Sequence, residues 1–325
     1  DSLLFYLPNL SLKKLNQLIK KYPPISLTTF GLRIPDILVL FYFNLRGFKT
    51  NMVQHGIFIN HIERIPFFKL IQSKFLKFIK YTNFSFKISI LRGSNFFYVL
   101  HNLYLFYYKG SQNFSNLKIL SDKKFISNVA FIFDKSWVKY YHEKYGYKKK
   151  QMIFVGNPDY LIFNKILNSS KQKAICYICQ SLVEDGRYLE SDYTFFLNTL
   201  IYKLKDYKIY LKLHPRSRIN LYKKYESHGV ILTRSFPYCT HYLGHYSSLL
   251  EIASYLDSSV CIWDLHKHNI PNEYLKYCNL FTSDWDEFIL FCQKFKVNKI
   301  NPKVYNFVQK NINPYLTIAT KISEN

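Results

Sequence analysis

The chain has 325 residues, 48% of them hydrophobic, which is enough to bury a sizeable core and excludes a disordered or fibrous polymer. Lys and Arg outnumber Asp and Glu by 45 to 21, a net charge of +24, so the partners to consider are anionic: nucleic acid, a membrane face, or acidic small molecules and glycans. The aromatic share of 19% accompanies abundant Ile, Asn and Lys, the bias of AT-rich codons, and is no functional sign by itself. Length predicts two domains.

In the first half, ILVLFYF (37–43), TNMVQHG (50–56), NVAFIFD (128–134) and QMIFVG (151–156) read as strands or buried segments. Between them, Pro66 to Lys80 has helical spacing, with Phe68, Ile71, Phe75, Phe78 and Ile79 on one face and Lys69, Lys77 and Lys80 largely off it. Two readings stay open there: a helix lying on an anionic membrane surface, and a core-packed helix with solvated lysines. No uncharged apolar run of about 18 residues exists, so no membrane-spanning helix is expected. VGNPDY and the polar run NSSKQK place a linker near 160–172.

The second half is more regular. KAICYIC (173–179) is a continuous apolar run suited to a parallel sheet buried on both faces. A helix follows over 189–204, then the strand KIYLKL (208–213), a helix over 217–227, and strands GVILT (229–233) and THYLG (240–244). SSLLEIASYL (247–256) reads as a helix and SSVCIWD (258–264) as a strand, and Asp284 caps a helix through 294. The alternation predicts a doubly wound α/β domain. From Pro302 the pattern is helical. The expected domains are 1–162, 163–300, and a C-terminal helix over 301–325 packing back on the first domain.

Cys176 and Cys179 have CxxC spacing, but no second pair follows at finger spacing. They read as small hydrophobes in a buried strand, so no metal site is expected, and a reducing cytoplasm is the natural compartment. The sequence is read without a signal peptide.

Three segments carry chemistry. LVEDGR (182–187) follows a strand, where ligands of open α/β sheets bind; Glu184 and Asp185 offer a general base, and Gly186 a tight turn. KLHPR (212–216) also follows a strand. There Pro215 stops further pairing, and Lys212, His214 and Arg216 form a cationic group suited to phosphate. GHYSSLLEIA (244–253) opens a helix with Ser247 and Ser248, whose hydroxyls and amides suit phosphate, with His245 just before them. Taken singly, each segment reads better as an ordinary loop, strand end or capped helix. Their order is more telling: His214 comes 29 residues after Asp185 and Ser247 33 after His214, one segment per strand-to-helix turn.

This set resembles the bacterial sialyltransferases of the GT-B fold, whose signatures are an acidic pair with Gly, a His-Pro and a Ser/Thr pair. It looks most like the lipooligosaccharide sialyltransferase family, and the likeness is good over roughly residues 150–265 and poor in the first half. The resemblance implies an α/β, GT-B architecture of two Rossmann-like domains facing across a cleft. It implies that Asp185 takes the proton from an acceptor hydroxyl and that His214 assists departure of the CMP phosphate. Ser247 and Ser248 would hold that phosphate, and Glu184, Gly186, Lys212, Pro215, Arg216, His245 and Asn157 would line the donor site. No metal or cofactor is implied. The donor would be a CMP-sugar, the acceptor a glycan, and the enzyme would work in the cytoplasm against the anionic inner face of the membrane. MVQHGIF (52–58) and FVGNPDY (154–160) are similar to a broader group including CMP-Kdo transferases and CDP-glycerol polymerases, with His55 and Gly56 on the acceptor side. A CMP-Kdo donor is therefore the alternative. A basic nucleic-acid-binding protein is the rival outside enzymes, but no recognisable nucleic-acid signature is present, so no nucleic acid is expected as partner.

Overall fold

Two parallel sheets organise the chain, one of four strands and one of six. The computed structural model describes all residues except 1–10, 22–25, 33, 55–66, 112–121, 185–187, 246, 266–274, 276, 295–299, 303–305, 307–312 and 325. For residues 18, 67–74, 76, 77 and 106–111 it describes the backbone alone. The described residues form two compact α/β units of Rossmann-like build: one holds those up to Asn157 together with those from Asn313, the other Pro158–Ile312.

The first unit runs α1 (Leu12–Lys21), β1 (Ser26–Phe30), α2 (Ile34–Leu45), β2 (Lys49–Val53), α3 (Phe67–Arg92), α4 (Phe96–Ser111), β3 (Val129–Ile132), α5 (Val138–Tyr145) and β4 (Met152–Phe154). Its sheet has the order β1-β2-β3-β4. Successive side chains of a strand point to opposite faces, and that period divides the core. Met52, Ala130, Ile132 and Met152 pack with the residues of α1, α2, α4 and α5. Val53, Phe131 and Val155 pack instead against Ile318.

ILVLFYF, expected as a strand or a buried segment, is the buried centre of helix α2: eight successive residues, Asp36 to Phe43, are buried. A short apolar run carries no period that separates a buried strand from a helix buried all round, and here the sheet on one side and α3 and α4 on others cover α2. Gly47, with φ +75°, ends α2 in a left-handed turn closed by Gly47 N–H to Asn44 O and Phe48 N–H to Phe43 O. The expected helix at 66–80 extends to Arg92.

The second unit runs α6 (Ile162–Ile166), β5 (Gln172–Ile178), α7 (Glu190–Lys203), β6 (Lys208–Lys212), α8 (Ile219–Lys223), β7 (Ile231–Thr233), β8 (Cys239–Gly244), α9 (Ser248–Ser254), β9 (Ser259–Trp263), β10 (Leu280–Thr282) and α10 (Trp285–Gln293). The helix expected over 217–227 is only the short α8 and a separate 3-10 turn at Glu226–His228. Asp284 caps α10 as expected, its carboxylate accepting from the amides of Asp286 and Glu287, an arrangement worth about 1 kcal/mol. The C-terminal α11 (Pro314–Glu324) belongs to the first unit and supplies Ile318.

The six-stranded sheet has the order β10-β9-β8-β5-β6-β7. From β5 the chain builds outward through β6 to β7, then returns to the other edge of β5 with β8 and continues to β10. The order reverses between β5 and β8, the position at which open α/β sheets form a ligand crevice at the carboxyl ends of their strands. On one face, Ile175, Tyr177, Leu211, Leu243, Cys261 and Trp263 pack on α7, α8 and α10. Cys176 and Cys179 are buried free thiols, with burial pushing both pKa values up.

His241 on β8 is buried, its Nδ1 within 3.1 Å of Thr240 Oγ1 and its ring edge-on to Phe291. Burial, with a smaller contribution from Lys171, lowers its pKa from 6.5 to about 4. The unfolded chain therefore takes up this proton before the folded one does. Stability attributable to His241 is complete above about pH 6.5 and falls as pH drops towards 4, by up to about 3 kcal/mol. Denaturant titrations between pH 7 and 4 are expected to show this loss in the native chain and its removal in His241→Gln.

Candidate functional site at the carboxyl edge of the second sheet

The loops after β5, β6 and β8 carry the three segments singled out in the sequence. After β6, the chain turns at His214. Its amide donates to Ser217 Oγ (3.1 Å), and its carbonyl accepts from the Ser217 amide (2.9 Å). The Arg216 amide donates to His214 Nδ1 at 3.1 Å. A ring nitrogen that accepts has no proton, so the neutral His214 ring carries its proton on Nε2 and presents that atom as a donor. The Arg216 guanidinium donates to Ser181 Oγ (3.0 Å), which ties the loop after β6 to that after β5, and Arg234 donates to Pro215 O (2.8 Å), which ties it to that after β7. Pro215 and Arg216 are exposed.

Lys212 differs from its cationic neighbours. It is buried, its Nζ donates to Leu213 O (3.1 Å), and burial lowers its pKa. The alternation of β6 turns Leu211 and Leu213 towards α7 and α8 and Lys212 the other way.

In the acidic segment, Glu184 Oε1 accepts from the Arg218 amide at 2.8 Å, while its buried Oε2 has no partner among the described residues. Leu182 O accepts from the Tyr188 amide (3.2 Å) across the base of the loop. Asp185, Gly186 and Arg187 lie outside the described residues, as do His55 and Gly56 and the histidines His266 and His268. Glu190, at the start of α7, pairs with Arg218 at 2.7 Å.

After β8, Ser247 caps α9 by accepting from the Leu249 amide (3.2 Å) and keeps its own O–H as a donor. The Ser248 hydroxyl donates to Asp159 Oδ2 at 3.3 Å. A Cβ at Gly244 would lie 3.2 Å from Leu250 Cδ2, a tight contact, so glycine eases the approach of α9 to the end of β8. Asn157 is buried, one residue before the chain enters the second unit.

His245, expected to contact donor, is fully buried beneath the edge. Its Nε2 lies 2.7 Å from Tyr177 Oη and its Nδ1 3.0 Å from Trp263 O, and Tyr177 Oη is 3.0 Å from Tyr193 Oη. Phe196 closes the box, 5.5 Å from the His245 ring. Both ring nitrogens are thus engaged within the core, because the residue after Gly244 turns inward under the loops. The network ties the ends of β5, β8 and β9 to the first turns of α7, and positions the edge from below. Tyr177, Tyr193, Ser181, Arg218 and Asp159 were not singled out from the sequence; each acts through a partner on another element, which linear spacing does not signal.

The fold is α/β with parallel sheets. No protein-family model matches the chain, and no curated protein does. Among solved structures, the chain is similar to the UDP-GlcNAc 2-epimerase of Methanocaldococcus jannaschii in complex with UDP-GlcNAc and UDP (12% identity, 92% of this chain and 78% of that one, TM-score 0.47). It is similar also to the spinosyn forosaminyltransferase (12% identity, 78% and 60%, TM-score 0.38) and to a wall teichoic acid polymerase (12% identity, 82% and 61%, TM-score 0.40). At such identities no residue role passes from one chain to another.

The Tyr177 hydroxyl serves two buried partners. Tyr177→Phe is expected to cost about 1–3 kcal/mol, measured by urea denaturation, because it strips His245 Nε2 of its partner where water cannot replace it.

Proposed function

We propose that the chain is a glycosyltransferase of the GT-B kind that moves sialic acid from CMP-sialic acid to a glycan of a bacterial surface polysaccharide or lipooligosaccharide, at the cytoplasmic face of the membrane. The observation that carries this reading is the reversal of strand order at β5 and β8, with His214 held beside it as an Nε2–H donor by the Arg216 amide. A crevice at such a reversal suits a nucleotide, and a neutral imidazole donor suits a phosphate oxygen.

In this reading, Asp185 takes the acceptor hydroxyl's proton as that oxygen bonds to the anomeric carbon from the face opposite the phosphate. The bond from carbon to the phosphate oxygen breaks, its electron pair leaves with CMP, and the configuration inverts. His214 donates through Nε2 to the departing phosphate, helped by the exposed Arg216, by the hydroxyl of Ser247 and, once it turns from Asp159, by that of Ser248. Glu184, whose Oε1 is held by the Arg218 amide, orders the segment that carries Asp185. The chemistry runs without a metal ion, since these groups supply the stabilisation of the leaving group. His55 and Gly56 keep the acceptor-side assignment that the sequence resemblance implies.

Asp185→Asn is expected to lower transfer by about 10²–10⁴-fold while CMP binding stays near the native value. His214→Ala is expected to weaken CMP binding and turnover together. CMP release against a panel of CMP-sugars, calorimetry with CMP, and NMR of the product anomer measure these outcomes. Transfer by Asp185→Asn at the native rate would overturn the base assignment. Binding to an RNA homopolymer but not to CMP would replace the enzyme reading with that of a nucleic-acid-binding protein.

A further inference from the structure

Helix α3 is apolar on its outer side as well as on its inner one, where Ile88, Tyr81 and Phe84 pack on the core. Its buried side carries Ser85, Ile88 and Ser89, and the two serines satisfy their hydroxyls on their own helix, Ser85 Oγ donating to Tyr81 O (2.7 Å) and Ser89 Oγ to Ser85 O (2.9 Å). Its outer side carries Phe75, Ile79, Phe86 and Ile90, with Phe75 61% and Ile90 65% exposed. Steps of four, seven and four residues keep these side chains within a stripe of about 60°. Lys80 and Lys87, seven residues apart, run beside the stripe and are exposed. Helix α4, which packs with α3, adds Phe97 (75% exposed) and Tyr104 at the same helical period. An apolar stripe this exposed and continuous signals an interaction surface rather than scattered surface hydrophobes.

Charge identifies the occupant. From Glu63 to Asp122 the chain has no acidic residue between the two, while α3 alone carries Lys69, Lys74, Lys77, Lys80, Lys87 and Arg92. A second copy docked through the same surface would set these cations against themselves, because a two-fold contact opposes like patches. An anionic bilayer complements them, and an apolar stripe flanked by lysines is the form of a helix lying in the plane of a membrane interface. No described helix is long and apolar enough to cross a membrane.

We infer that the outer face of the α3–α4 pair docks on an anionic phospholipid surface, the stripe entering the headgroup boundary and Lys80 and Lys87 meeting lipid phosphates. The inference deepens the membrane-side part of the proposed function and rests on it only for which membrane face is used. Flotation of the full chain with phosphatidylglycerol/phosphatidylcholine vesicles and with phosphatidylcholine alone tests it, without donor or acceptor. A failed transferase assay therefore leaves this result standing, and the reverse holds too. Binding to the anionic vesicles is expected, and it should weaken by at least about 30-fold in Lys80→Glu/Lys87→Glu at low salt. Ile79→Ser/Phe86→Ser/Ile90→Ser is expected to abolish it with melting temperature and CMP binding retained, since no substituted side chain is in the core. No flotation of the native chain, or equal flotation of both variants, would overturn the inference. So would a concentration-dependent dimer in sedimentation velocity that the serine variant disperses.

Discussion

Strand β5 is hydrogen-bonded on both edges, to β6 and to β8, and buried on both faces. A strand so placed must be apolar throughout, which is why KAICYIC has no polar alternation and why its two thiols are inert core atoms. It must also be where the sheet changes direction of growth, because the chain can extend from β5 on one side only until it returns to the other. The crevice between the loops after β5 and β8 follows from that single constraint, and the chemistry-bearing residues of the second unit are gathered there by topology.

Beneath the crevice the same constraint recurs on the scale of side chains. Parallel strands end together, so their last residues compete for space under the loops. Tyr177, His245 and the Trp263 carbonyl resolve this with a closed hydrogen-bonded set in an aromatic box. A buried polar set fully satisfied in this way stiffens its surroundings, since any displacement leaves a donor or acceptor unpaired in a medium of low polarity. Above it, the exposed Arg216 and the half-buried Glu184 and Ser248 are held by partners on other loops: Arg216 by Ser181, Glu184 by Arg218, Ser248 by Asp159. The edge is rigid below and polar above, which is the division a binding surface for a charged ligand requires.

The first unit distributes its residues by a different rule. Its core is crowded with Tyr and Phe, including the stacked pair Phe41 and Phe125 at 4.3 Å, yet α3 and α4 leave large aromatic and aliphatic side chains outside. A chain able to bury so many aromatics does not expose others for want of core. Most of the exposed set lies on these two helices, which carry no acidic residue, and apolar surface and positive charge coincide on their outer face.

Local pattern by itself determined a good part of this protein. The strands β5, β6, β8 and β9, the helix α7 and the Asp284 cap are written in runs and periods that operate over a few residues, as is the position of His214 at a strand end. Tertiary structure decided what depends on distant partners. ILVLFYF became a helix because burial on every side erased the period that would have distinguished it. His245 became a core residue because Tyr177, 68 positions away, stands opposite it across the β5–β8 pair. Ser248 found Asp159 across 89 positions. Hydrophobic period fixes which face of an element is apolar, but only the packed sheet decides which element that face meets. For that reason the cationic, acidic and serine segments, and their place one per strand-to-helix turn, were readable, and the distant side chains that hold them were not.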